Sequence, residues 1–86
     1  MDTDQTDGPF DEPVHLAEAG SNPTTVLSAK QAYARLSDVN WPGPRNVRHE
    51  QAAETCLKVL EGHRNPVDAR TAFVDVAREA GILEGS

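Results

Sequence analysis

Between Asn65 and Leu83 the chain spells out one complete amphipathic helix, punctuated at both ends. The Asn65 side chain can accept from a free first-turn N–H, and Pro66 stands at the first helical position, where no N–H is needed. Asp68 puts negative charge on the positive end of the helix dipole. Ala69, Ala72, Phe73, Val76, Ala77 and Ala80 form one stripe at helical spacing. Gly81 can take the left-handed conformation that ends a helix, and Ile82 and Leu83 can then fold back onto the apolar face. A segment so fully specified makes the chain a small packed domain built on helices.

With 86 residues there is room for one domain. A chain this short hides only about 60% of its unfolded surface, so self-association, most simply a homodimer, is the expected source of added stability. The single Cys56 rules out an internal disulfide. No apolar run approaches the roughly 20 residues of a membrane span, and the acidic N-terminus has neither the basic nor the apolar region of a secretory signal. A soluble cytoplasmic protein is therefore expected. The net charge of −6 is uneven: residues 1–12 carry five acids and no base, and the rest carries nine acids against eight bases. The acidity belongs to residues 1–9 and their surroundings, read as a disordered tail, and the domain proper is placed at 10–86. A nearly neutral body has no strong attraction for nucleic acid or anionic lipid.

Phe10 is the first residue expected to touch the core. Val14 to Ala17 reads as a short strand after Pro13, Gly20 to Pro23 as a turn, and Thr24 to Leu27 as a second, β-branched strand. The two make a hairpin, which is barely stable alone and must pack on the helices or pair with another copy. Ser28-Ala29-Lys30-Gln31 has the form of a capping box, with Leu27 and Ala32 placed for a hydrophobic staple. The first helix is expected to run to about Asn40 and to be stopped by Trp41-Pro42-Gly43-Pro44. Asn46 can cap a second helix, 47–61, with a stripe of His49, Ala52, Ala53, Cys56, Leu57 and Leu60, ended by Gly62. The third helix is 66–80. The fold class is thus α+β: an N-terminal β-hairpin followed by three α-helices.

Several short signatures occur in order: Pro13-Val14, Trp41-Pro42, Ala53-x-x-Cys56-x-x-x-Leu60-x-Gly62, Ala69-Arg70-x-Ala72-Phe73 and Glu79-Ala80-Gly81-Ile82. Together they make the chain resemble, over roughly residues 10 to 83, the bacterial domain-of-unknown-function family 982. The resemblance implies a compact stand-alone module. It brings no catalytic residues with it.

Candidate chemistry is sparse. His49 and His63 each lie seven positions from Cys56, about 10.5 Å of rise along one helix, whereas a zinc bond needs roughly 2.0–2.3 Å. Cys56 therefore reads as a small buried apolar residue, and no metal or cofactor is expected. No nucleophile elbow, phosphate loop or zinc-protease helix is present, so the chain is not read as an enzyme. The helix pair 47–61 and 66–80 could act as a helix-turn-helix, with Arg64 and Arg70 toward phosphates. Asp68, Asp75 and Glu79 share that face, however, and disfavour nucleic acid.

The segment from Trp41 to His49 combines an aromatic, rigid prolines, Arg45, Arg48 and a helix start. Two readings are open. Trp41 can lid the core while the arginines stay solvated, the commoner fate of a tryptophan. Alternatively, Trp41, Arg45, Arg48 and His49 form a contact surface, since Trp and Arg are the usual interface anchors. The functional expectation carried forward is a non-catalytic protein-interaction or regulatory module using that surface and the hairpin edge, with an unidentified protein partner.

Overall fold

A computed structural model describes residues 8–17 and 23–84. Strand β1 (Pro9–Leu16) and strand β2 (Thr24–Ser28) form an antiparallel hairpin, followed by helices α1 (Ala29–Leu36), α2 (Val47–Leu60) and α3 (Pro66–Ala80). This is the α+β order read from the sequence. The disordered reading of residues 1–7 and most of the 20–23 turn lie outside the described residues.

Both strands alternate. Val14 and Leu16 of β1 and Val26 and Ser28 of β2 point inward, while His15, Thr25 and Leu27 point out. Period-two alternation is what lets one face of a sheet sit on helices while the other meets water. β1 is longer than the expected Val14–Ala17. It starts at Pro9, with an irregularity between the Pro9–Ser28 and Val14–Val26 pairs that accommodates two prolines. The domain boundary moves with it: Gly8 is buried, and its carbonyl accepts from Ala29 N–H at 2.8 Å. A Cβ at Gly8 would come within 2.6 Å of Val59 and 2.9 Å of Ala29, so the entering chain is part of the fold and not of a tail.

Ser28 caps α1 as expected, accepting from Gln31 N–H at 3.2 Å. Leu27 is half exposed because strand alternation turns it outward, so it forms no buried staple over Ala32. α1 stops at Leu36 rather than near Asn40. Asp38 accepts from Asn40 N–H through its side chain and from Trp41 N–H through its carbonyl, turning the chain inward. Asn46 caps α2 by accepting from His49 N–H at 3.1 Å. Asn65 makes no side-chain cap. The Asp68 N–H it would serve bonds to the Asn65 carbonyl instead, at 3.0 Å. α2 and α3 end alike: His63 N–H reaches Lys58 O and Gly62 N–H reaches Val59 O, just as Ile82 reaches Ala77 and Gly81 reaches Arg78. Gly62 and Gly81 sit at φ 84° and 76°, the left-handed residues this motif requires.

The core is a single cluster. Phe73, Leu16, Leu36, Val14, Val26 and Cys56 are its largest fully buried side chains, and Phe10 packs against it. On α2 the buried line is His49, Ala52, Cys56 and Val59, so Val59 takes the place expected for Leu57, which lies 40% exposed one step around the helix. After α3, Leu83 pairs with Leu16: Ala17 N–H donates to Ile82 O at 2.7 Å and Glu84 N–H to His15 O at 3.0 Å. The stretch 82–84 thus lies along the outer edge of β1 at 15–17. No described helix is long and apolar enough to cross a membrane.

Candidate functional site

The segment after α1 turns out to be built into the fold. Trp41 is only 7% exposed and His49 only 5%. Their rings stand 5.7 Å apart, and the Trp41 ring lies 6.1 Å from that of Phe73. Gly43 lets this loop approach α3 so closely that a Cβ there would meet the Ala80 Cβ at 2.6 Å. Arg45 is spent on the end of α1: its guanidinium donates to the carbonyls of Leu36, at 3.2 Å, and Asp38. The Leu36 carbonyl is one that a helix end leaves without an intrahelical partner. Of the four residues read as a contact surface, Trp41 and His49 are therefore interior, Arg45 is a cap, and Arg48 alone is exposed without a role in the fold. The core-lid reading of Trp41 is the one the geometry follows.

Arg64 and Arg70 are not held together as a phosphate-binding pair. Arg64 Nε lies 3.2 Å from Asp68 Oδ2, and Arg78 lies 3.7 Å from Asp75. Arg70 docks α3 onto β1, donating to the carbonyls of Glu12 at 2.8 Å and Pro13 at 3.5 Å. Cys56 is fully buried, and desolvation pushes its thiol up to about 12, which keeps it protonated and unreactive at neutral pH. Among the described residues no cluster of His, Cys, Asp and Glu has the geometry to hold a metal ion.

What the sequence did not single out is the far edge of β2. Its polarity follows from the hydrogen bonds of β1. The His15 carbonyl and Ala17 N–H point toward the Leu83 segment, so Val14 and Leu16 turn theirs toward β2 and bond there with Val26 and Thr24. Thr25 and Leu27 must then turn their N–H and C=O groups away from β1. Two observations agree with this. His15 Nδ1 and Thr25 Oγ1 are 3.3 Å apart, as facing residues of a non-hydrogen-bonded pair allow, and Leu27 N–H donates outward to Gln31 Oε1 at 2.8 Å. Thr25 thus offers a main-chain donor and acceptor to the open side of the sheet.

That open side is a groove of about 360 Å³ between β2 and α1, lined by Thr24, Thr25, Val26, Gln31, Ala34, Arg35 and Asp38. α1 supplies its wall because Gln31, Ala34 and Arg35 recur at three- and four-residue spacing on one face of the helix, and Asp38 follows in the turn after it. Ala34 gives its wall an apolar patch, and Arg35 and Asp38 give its rim one charge of each sign. The sequence held one clue, the capping-box Gln31. It reaches back one residue further than the motif requires, to Leu27 rather than Ser28, and so lands on the strand edge.

Comparison with known proteins places the fold. The chain is similar to protein Atu1219 of Agrobacterium tumefaciens, whose structure was determined by NMR: 30% of residues are identical, the match covers 93% of this chain and 79% of that one, and the TM-score is 0.76. No curated protein matches the chain. The profile of a family described as proteins of unknown function, DUF982, matches residues 12–84, which takes in β1 from Glu12 onward, β2, all three helices and the closing Leu83 pair. The chain therefore belongs to the DUF982 family.

Proposed function

We propose that the protein is a non-catalytic interaction module that binds an extended peptide segment of a partner protein in the groove between β2 and α1. The observation that carries this reading is Thr25. Its N–H and C=O face an open, partly apolar groove, the arrangement by which an added strand gains main-chain bonds while its side chains are read by the walls. A single peptide residue opposite Thr25 can exchange both bonds without disturbing Leu27. The side chains with chemically active groups are otherwise occupied: His49 and Cys56 are interior, and Arg45 and Arg70 bond to carbonyls. Pairing of hairpin edges between two copies is the less favoured route, because the Leu83 segment lies along β1 and Gln31 sits on β2.

Selection of a random peptide library on the immobilised protein tests this, with Thr25→Pro and Thr25→Ala run beside the wild type. Proline removes the outward N–H and no bond to β1, a substitution an edge strand tolerates. Enriched peptides should bind the wild type and Thr25→Ala alike and lose Thr25→Pro. No enrichment, or binding indifferent to proline, would contradict the proposal.

A further inference from the structure

We infer that Gln31 is an edge guard, holding β2 closed to pairing with a second copy of the chain. An exposed strand edge is a template for association, and proteins blunt it with covers and charges. β2 itself carries no charge or proline, and the α1 wall beside it leaves a groove open at Thr25. Its outward face carries Leu27, 52% exposed. What it has is the Gln31 carboxamide, whose Oε1 takes the Leu27 N–H at 2.8 Å.

The geometry of self-pairing shows why that one contact matters. Two antiparallel β2 strands related by a two-fold axis at Val26 would place Thr25 of each opposite Leu27 of the other. Both are outward-pointing residues, and each such pair exchanges two main-chain bonds. The Leu27 amide is the donor in half of them. With Gln31 on that amide in both copies, half of the bonds are removed, and the pairing loses half of its main-chain attachment. The opposite edge of the sheet needs no guard, since the Leu83 segment already bonds to His15 and Ala17. Gln31 stands in the first turn of α1 with its side chain in solvent, so its place is not set by core packing. This inference does not depend on peptide binding and fails or stands separately from it.

Sedimentation equilibrium of the full chain, from micromolar to millimolar concentration, provides the test. Gln31→Ala and Gln31→Met remove the acceptor while keeping good helix formers, and Gln31→Glu keeps an acceptor at the same place. The wild type and Gln31→Glu should keep one mass at every concentration. Gln31→Ala and Gln31→Met should rise toward roughly twice that mass, as a closed two-fold pair requires, and adding Thr25→Pro should abolish the rise. A folded Gln31→Ala or Gln31→Met that keeps the wild-type mass throughout would overturn the inference, as would a rise that survives Thr25→Pro. Should one variant fail to fold, the other decides. The wild type also gives a reading by itself: Leu27 amide exchange should be slowed relative to that of Thr25, and equal rates would overturn the inference.

Discussion

At the scale of single residues, His49 shows how one position can look functional in a sequence and be structural in the fold. It follows an aromatic–proline loop, lies between two arginines and a glutamate, and opens a helix, a context that suits a binding site. In the structure its ring is buried beside Trp41, and its Nε2 has no hydrogen-bond partner in the protein. A buried polar atom left unpaired costs about 1–3 kcal/mol, which offsets much of what the ring's packing contributes. His49→Leu should therefore stay within about 1 kcal/mol of the wild type in urea unfolding, whereas Trp41→Ala should lose about 3–5 kcal/mol, the range for emptying a large aromatic site. Equal losses would mean that the His49 ring is satisfied in solution. Cys56 is the other residue whose setting decides its chemistry. Burial raises its thiol from the ordinary 9.0 to about 12, so the folded state holds that proton more tightly than the unfolded chain does. Its contribution to stability is complete below the unfolded value and is lost as pH rises from about 9 toward 12, by at most about 1.4 kcal/mol per pH unit. Over that window the wild type should lose stability more steeply than Cys56→Ala, and parallel slopes would show that the thiol ionises without unfolding.

At the scale of elements, the helices were legible because their signals are local. Ser28, Asn46, Pro66, Gly62 and Gly81 each act within one turn of where they stand, and the structure uses them at those places. What was not legible depends on contacts far apart in sequence. The strand from Pro9 to Pro13 lacks a β-rich composition. It is fixed by Arg70, which reaches its carbonyls across 58 and 57 positions. The early end of α1 is set by the inward turn to Trp41 and by Arg45, and the choice of Val59 over Leu57 is set by how α2 is rotated against its neighbours. The groove beside β2 was invisible for the same reason: the order of bonds along β1, which aims Thr25 outward, is fixed by the pairing of Leu16 with Leu83. Two glycines separate local from long-range causes by experiment. Gly81→Ala pays only for a left-handed backbone, since nothing lies within 4 Å of the added methyl, and should cost about 1 kcal/mol. Gly43→Ala drives a methyl into Ala80 and should cost about 1–3 kcal/mol, as overpacking does, with loss of Trp41 fluorescence anisotropy as the loop lifts. A Gly43→Ala protein as stable as the wild type would mean that the loop is not seated on α3.

At the scale of the whole molecule, the three helices and the hairpin share one core, and the surface features divide accordingly. The Trp41–His49 segment closes that core between α1, α2 and α3, and Trp41, Arg45 and His49 are used there, with Arg48 left exposed. The sheet has one edge lined by the Leu83 segment and one edge that opens, at Thr25, into the groove beside α1. On the proposed reading, partners are met at this second edge and not at the tryptophan loop. The most direct measurement is an amide chemical-shift map of the protein titrated with a peptide selected on it, well within reach for a 9.3 kDa chain. Shifts concentrated on Thr24–Val26 and on Gln31, Ala34, Arg35 and Asp38, with residues 41–48 unmoved, are the predicted result. Shifts centred on residues 41–48, with Thr25 silent, would contradict it.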